Sequence, residues 1–285
     1  MRVIVLGSGS KGNAMVVESS QGALLVDAGF SGKKLAERLR LSGIAIDSLH
    51  SVLVCHEHLD HARGLKVVGN QWKKDIFATS ATATALRDKG KAPDRFHIFS
   101  NDTSFGVGPF LVSPFSVPHD AGDPVGFRID VNGFSIGIAT DLGESTNLVR
   151  EHLCGCSVII LESNHDVEML WASARPPDVK RRILGRFGHL SNSAAADLLQ
   201  ETVDATTQAV ILAHVSRACN SCELAKRTVR AALDATEHQA IRLKVASQDS
   251  PVAVPLSAPD AVRSAGDGST DRNENDTNGR SNSPR

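Results

Sequence analysis

The sequence predicts an α/β layered fold in which sheets are covered by helices. Three observations predict it. Short β-rich runs alternate with helical runs through about residues 1–256. The amphipathic runs NSAAADLLQETV and ELAKRTVRAALDA flank an apolar strand, QAVILAH. Five apolar strand-like runs each end on a residue fit for metal or proton chemistry. VLVC runs into His56, FSVP into His119, IGIAT into Asp141, VIIL into Glu162 and VILA into His214. Strand ends on one edge of such a body converge on a shared crevice.

The elements follow in order. RVIVL, AMVVES and ALLVDAG are strands separated by Gly and Ser turns. GKKLAERLRL is a helix, SVLV a strand, and HARGLKVVGNQWKK a further helix. IFATS and ATATALRDKG repeat the strand-then-helix order. FGVGPFLVSPFSVPH, GFRIDV and FSIGIAT read as strands, and CSVIIL as a buried one. IRLKVAS and VAVPL close the body as strands. Residues 257–285 differ in kind: their only apolar side chain larger than alanine is Val262. Such a segment buries too little to offset its ordering entropy, so a disordered tail is expected there.

Composition excludes several classes. The chain has 285 residues, 41% hydrophobic and 22% charged, which suits a large buried core. No run approaches the roughly 18 apolar residues of a membrane span. The first apolar run, Val3 to Leu6, is shorter than a signal-peptide core, so an exported enzyme is disfavoured. Five cysteines, an odd number, argue against a disulfide scaffold and for a reducing compartment, with a bacterial cytoplasm as the expectation. Net charge is −1. The tail holds four Arg and five acids; removing them from 31 basic and 32 acidic residues leaves 27 of each. Any attraction to nucleic acid must therefore come from a local patch.

The sharpest motif is CHEHLDHARG, with His56, His58, Asp60 and His61. Residues two apart in an extended segment point the same way, so His56 and His58 can reach one cation. Where the chain turns, Asp60 and His61 face a neighbouring position. Imidazole nitrogen with carboxylate oxygen suits Zn, Fe or Mn rather than Ca.

On these residues the chain resembles the metallo-β-lactamase-fold hydrolases, whose ligand loop is H-x-H-x-D-H. The resemblance covers about residues 1–256 and implies a four-layer αββα sandwich. It implies that Asp27 in LLVDAG supports the loop, and that His119 in VPHD, Asp141 in ATDLG and His214 in LAHVSR complete the ligands. One site would be His56, His58, His119 and Asp141; the other Asp60, His61, Asp141 and His214. LGSGSKGN, LESNHD, GHLSN and LAHVSRACN are further similar to the YycJ/WalJ-type subfamily, related to ribonucleases Z and J. Cys55 stands where many relatives carry Thr; it precedes the ligands, so little effect on metal binding is expected.

What this implies is a phosphodiesterase acting on nucleic acid, DNA rather than RNA, as a 5′→3′ exonuclease with two divalent ions, Zn or Mn. Two such ions about 3.5–4 Å apart would bridge and activate a water for in-line attack on phosphorus. Asp60, His189 and Glu162 would be catalytic: His189 donates a proton or binds phosphate, and Glu162 orients it. Ser191 and Asn192, at a helix start, offer a phosphate seat. Arg175, Lys180, Arg181, Arg182 and Arg186 form the densest basic run, with Lys180, Arg181 and Arg182 expected on a nucleic-acid backbone. Read as residues alone, His189 can also be a helix-start histidine, Glu162 a surface acid and the basic run a solvated face.

Other motifs carry less. Gly7–Gly12 fits G-x-G-x-x-G, yet NAMVVES after it reads as a strand where that motif opens a helix. The loop is instead expected near the site, with Lys11 and Asn13 as candidate substrate contacts, and Cys219, five residues after His214, is expected to line the site. A zinc knot of Cys154, Cys156, Cys219 and Cys222 is disfavoured by spacing. His165 reads as a loop residue or, alternatively, as a group supporting the ligands from behind. Competing functions are a glyoxalase II-like thioesterase, a cyclic phosphodiesterase of a small metabolite, and a metal-bound sensor. A thiolate leaves without an acid, so the Glu162–His189 pair disfavours the thioesterase. Oligomeric state stays open, a dimer included.

Overall fold

The computed structural model describes residues 1–257. Of the tail expected over 257–285, only Ser257 is among them. Among the described residues the strands form two seven-stranded sheets. The first holds β1 (Arg2–Gly7), β2 (Ala14–Ser19), β3 (Gly22–Val26), β4 (Leu49–Leu53), β5 (Asp75–Ala78) and β6 (His97–Ile98). The second holds β7 (Phe105–Val107), β8 (Phe110–Ser116), β9 (Val125–Val131), β10 (Phe134–Ala139), β11 (Val158–Glu162), β12 (Ala209–Ala213) and β13 (Arg242–Val245). The chain then returns to the first sheet, where β14 (Val252–Pro255) pairs antiparallel with β1.

Side-chain alternation divides the apolar residues into three layers of contact. Val3, Val5, Leu24 and Val26 meet Phe127, Ile129, Ile138, Ile160 and Ile211 between the sheets. The opposite faces, such as Ile4, Leu6 and Leu25, pack on α1 (Gly32–Leu41) through Leu35 and Leu39. Ile159, Leu161, Val210 and Leu212 do the same for the second sheet. Their helical partners are α4 (Asn147–Leu153), α7 (Asn192–Thr202) and α8 (Cys222–Asp234). The result is the four-layer αββα sandwich. The remaining helices are α2 (Leu59–Ala62), α3 (Ser80–Asp88), α5 (Val167–Ala172) and α6 (Pro177–Leu184). Helix starts follow the local chemistry: Ser31, Thr79, Thr146, Asp166, Ser191 and Ser221 each accept a backbone N–H as N-caps.

One expected element differs. The helix read over HARGLKVVGNQWKK is broken into α2 and a π-helical stretch, Val67–Gln71. The physical reason is the close approach at Gly64. Its N–H donates to the Ala28 carbonyl at 2.7 Å, and a Cβ there would sit 2.6 Å from the Phe30 carbonyl oxygen. Tertiary contact with the end of β3 sets the chain path, not helical propensity. Helices α4, α5 and α6 add to the expected set.

The parallel strands matter most for function. β3, β4, β5 and β6 run parallel, as do β10, β11, β12 and β13. Their carboxyl ends deliver Asp27, His56, Asp141, Glu162 and His214 to one edge.

Candidate metal centre

The ligand loop leaves β4 and enters α2 within six residues. His58 is the N-cap of α2, and Asp60 and His61 lie in its single turn. The donor atoms of His56, His58 and His119 all lie within 4.8 Å of one another. Those of Asp60, His61 and His214 do the same. Asp141 stands between the groups: its Oδ2 is 3.1 Å from His61 Nε2, its Oδ1 3.2 Å from His214 Nδ1 and 3.9 Å from His119 Nε2. The structure thus brings together all seven residues expected as ligands, in the two groups expected.

Three of the five imidazoles are turned by a partner behind them. His61 Nδ1 donates to Asp27 Oδ2 at 2.7 Å, which aims Nε2 at the centre. The other Asp27 oxygen accepts the Cys55 N–H at 2.9 Å, locking the carboxylate to the end of β4. His119 Nδ1 donates to the Gly188 carbonyl at 3.1 Å. His214 Nδ1 donates to Glu162 Oε1 at 2.6 Å, and the His214 carbonyl accepts from Asn164 Nδ2 at 2.8 Å. Such outer hydrogen bonds fix tautomer and ring orientation at metal sites.

Burial sets the electrostatics. His56 is buried, and burial pushes its imidazole well below its ordinary value. Burial opposes charge on His61 too, but the Asp27 and Asp141 carboxylates outweigh it and hold His61 well above the ordinary range. Glu162 has no exposed surface; burial would raise its carboxyl, yet His189 and His214 pull it down to about 2.

The backbone at this edge is bent to serve the site. Asp27, Asp141 and His214 adopt left-handed conformations, with φ of 62°, 58° and 53°. Non-glycine residues pay for such torsions, and they cluster at functional sites. Close packing adds to this. A Cβ on Gly29 would lie 1.6 Å from the Asp60 carbonyl oxygen, so only glycine lets the chain after β3 pass the ligand loop.

The donor set fits divalent metal. His56 Nε2, Asp141 Oδ2 and His214 Nε2 are buried and lack a hydrogen-bond partner among the described residues. Buried polar atoms are nearly always satisfied, and three orphans spread over the two donor groups match the ligand demand of cations. Nitrogen and carboxylate donors suit Zn or Mn better than Ca.

The other expected residues divide. Glu162 accepts from His189 Nδ1 at 2.9 Å with the same Oε1 that meets His214, while Oε2 takes the Leu142 and Leu190 N–H groups, both at 3.1 Å. Ser191 caps α7 through the Ala194 N–H. Asn192 is buried, bonded to Ser163 at 2.6 Å and Asn220 at 2.9 Å. A cavity of about 250 Å³ lies over the ligands. Arg182 lines it and pairs with Asp120 at 3.2 Å. Lys180 Nζ instead donates to the Trp171 carbonyl at 2.6 Å, and exposed Arg181 lies outside the cavity lining.

Further residues, several of them singled out in the sequence, complete the surroundings of the site. Asn13 is buried beneath the ligand loop, its N–H bonded to the Asp60 carbonyl at 2.7 Å and its Nδ2 3.0 Å from His61 Nε2. Arg175 and His165 line the cavity, as does Cys219. Asp120 was signalled only by its position next to His119. The five cysteines are free thiols.

A four-layer sandwich that gathers five histidines and two aspartates at one sheet edge defines a metal-dependent hydrolase. The chain belongs to the beta-lactamase superfamily, whose domain model matches residues 23–215. It is 35% identical to exodeoxyribonuclease YycJ of Bacillus anthracis over 232 residues, covering 81% of this chain and 88% of that protein. It is 33% identical to exodeoxyribonuclease WalJ of Streptococcus pneumoniae over 229 residues, covering 79% and 85%. Among solved structures, the metallo-beta-lactamase fold protein YhfI of Bacillus subtilis superposes with a TM-score of 0.66 at 15% identity, covering 88% of this chain and 98% of that one. No helix among the described residues is long and apolar enough to cross a membrane.

Proposed function

We propose that this protein is a phosphodiesterase that degrades DNA from its 5′ end with two divalent cations, Zn or Mn. The observation that carries the reading is the Glu162–His189 pair beside the metal ligands. His189 Nδ1 is committed to Glu162, so its Nε2 is the nitrogen left for a departing oxygen. Burial opposes charge on His189, but Glu162 outweighs it and raises the imidazole above its ordinary value, which suits a proton donor. A thiolate needs no such donor, which favours an alkoxide leaving group over a thioester. The names of the YycJ and WalJ relatives support DNA as the substrate.

His56, His58, His119 and Asp141 would hold one cation, and Asp60, His61, Asp141 and His214 the other. The chemistry supplied by bound cations is activation of water and neutralisation of charge on phosphate oxygens. Asp60, partly exposed on the cavity floor, would orient the attacking water through its carboxylate. Glu162 keeps His189 upright and stabilises its protonated form. Arg182 at the cavity rim would meet a phosphate, with Lys180 and Arg181 on the same helix contributing longer-range attraction. Ser191 and Asn192 would act through the N-terminus of α7, Ser191 by capping it and Asn192 by fixing its start.

The test is a metal-titrated nuclease assay on single- and double-stranded DNA and RNA, with a thioester as control. Metal-dependent release of nucleotides from DNA 5′ ends, absent in His58→Ala, is the expected result. Thioester turnover without DNA cleavage would overturn the reading.

A further inference from the structure

We propose that Ser8 and Asn13 are positioning residues for one cation of the pair, the one assigned to Asp60, His61 and His214, and that the other cation is held independently of them. The inference rests on the two-cation reading above and names what assembles one half of it.

Asp60 and His61 come from the ligand loop and His214 from the end of β12, and one buried pair of side chains touches all three. The His214 N–H donates to Ser8 Oγ at 2.8 Å. Ser8 Oγ donates in turn to Asn13 Oδ1 at 2.8 Å. Asn13 Nδ2 lies 3.0 Å from His61 Nε2 and 3.4 Å from Asp60 Oδ2. Ser8 is 2% exposed and Asn13 wholly buried, so bulk water does not compete for these contacts. Among the described residues neither side chain has a hydrogen bond to His56, His58 or His119.

The direction of each bond is forced. The Gly9 N–H points at the same Asn13 atom as Ser8 Oγ does, at 2.9 Å. A backbone N–H only donates, so that atom is the amide oxygen, and Nδ2 faces the ligands. The Ser8 hydroxyl hydrogen is thereby committed to Asn13, and the Ser8 oxygen is left to accept from His214. With a cation on His61 Nε2, that nitrogen has no lone pair to offer, and the Asp60 carboxylate becomes the acceptor for Nδ2. A carboxylate oxygen has lone pairs for a cation and for an amide hydrogen together. Asp60 Oδ2 is the atom that faces His61 Nε2 and His214 Nε2, at 3.8 and 3.6 Å. Asn13 therefore fixes the carboxylate of Asp60, while Ser8 holds the left-handed backbone of His214. Outer hydrogen bonds of this kind orient the groups that bind a metal.

The pair is itself pinned from the far end of the chain. Gln248 Nε2 donates to the Gly12 carbonyl at 2.7 Å, and its Oε1 accepts the Lys11 N–H at 2.8 Å. The Ser247 carbonyl accepts the Ser8 N–H at 3.1 Å. Buried Arg38 holds this clamp in place, since its Nη2 donates to the Gln248 carbonyl at 2.7 Å. The loop from Ser8 to Asn13 is thus a fixed frame, and a fixed frame can set the spacing of ligands from separate segments.

The experiment titrates the full-length protein, stripped of metal, with Zn against a coloured chelator and reads stoichiometry and stepwise affinity. In Ser8→Ala and Asn13→Ala one step weakens at least about tenfold, while the other stays within about twofold of the parent. His61→Ala weakens the same step and His58→Ala the other, which assigns the steps. Affinities unchanged in Ser8→Ala and Asn13→Ala overturn the proposal. Equal weakening of both steps overturns it too, because it marks a general loosening of the fold. Should Asn13→Ala fail to fold, Ser8→Ala, which removes a single hydroxyl, decides alone. If the parent takes up one cation only, the two-cation reading fails by itself. The role of Ser8 and Asn13 is then supported when that cation is weakened by both His61→Ala and Ser8→Ala, and overturned when Ser8→Ala leaves it unchanged.

Discussion

The Asp27 carboxylate lies 2.7 Å from His61 Nδ1, with both side chains wholly buried. This contact, more than the ligand loop alone, fixes which imidazole nitrogen faces the cluster of candidate ligands. Replacing Asp27 by Asn keeps the shape but allows the amide to present a donor where the ring needs an acceptor. Asp27→Asn is expected to weaken metal affinity by about 10–100-fold, the usual cost of losing such a support. Competition with a coloured chelator measures it; unchanged affinity would show that His61 orients without Asp27.

Variants at Glu162 and His189 would separate metal support from proton transfer. His189→Ala is expected to lower kcat by roughly 10²–10⁴ while metal content stays at the wild-type level. Glu162→Gln is expected to lower both, because Glu162 also holds His214. Parallel rate and metal-content measurements on the two variants distinguish these outcomes.

Gly29→Ala probes the packing under the ligand loop. The added Cβ would collide with the Asp60 carbonyl oxygen, which has no flexible side chain to yield. A loss of about 3 kcal/mol in stability is expected, in line with overpacking of a filled site. Urea unfolding reads it, and weaker metal binding should accompany it.

His165 gives a pH signature of stability. Burial pushes its imidazole to about 4, against an ordinary 6.5. Between those values the unfolded chain binds a proton that the folded chain refuses, so stability rises with pH there. Its contribution is intact above about pH 6.5 and is lost as pH falls toward 4, by roughly 3 kcal/mol in full. Denaturant titrations at pH 7 and pH 4.5 should show a smaller acid loss in His165→Gln than in the parent chain.

Arg182 tests the basic helix. Arg182→Ala is expected to weaken DNA binding at every sequence alike and to lower the slope of log K against log salt by about 1. Combining it with Lys180→Ala and Arg181→Ala should flatten the slope further. An unchanged slope would remove α6 from the substrate path.

The residues proposed as ligands could be picked out in the sequence because their chemistry is written locally. H-x-H-x-D-H places four donors in six residues, and His119, Asp141 and His214 each follow an apolar run that stops abruptly. The layered fold was legible for the same reason, through alternation within strands. What escaped reading depends on separations the chain alone does not encode. Glu162 serving His214 as well as His189 needs β11 and β12 side by side, and the loop after them folded back. Asn13 reaches the ligand loop 47 residues onward, and nothing in LGSGSKGN states that distance. His165 looked like a loop residue because it follows a strand in a polar stretch; it is buried where its backbone bridges to Ser191 at the start of α7. The helix expected after His61 failed where Gly64 had to meet Ala28, a contact between segments far apart in sequence.

The left-handed torsions at Asp27, Asp141 and His214 have an evolutionary consequence. Glycine at any of the three would relieve the backbone torsion, since only glycine adopts that conformation freely. Each such change would also delete a ligand or its brace. Selection for durability and selection for turnover therefore pull these positions in opposite directions, and a lineage that ceased to need catalysis would be expected to drift toward glycine there first.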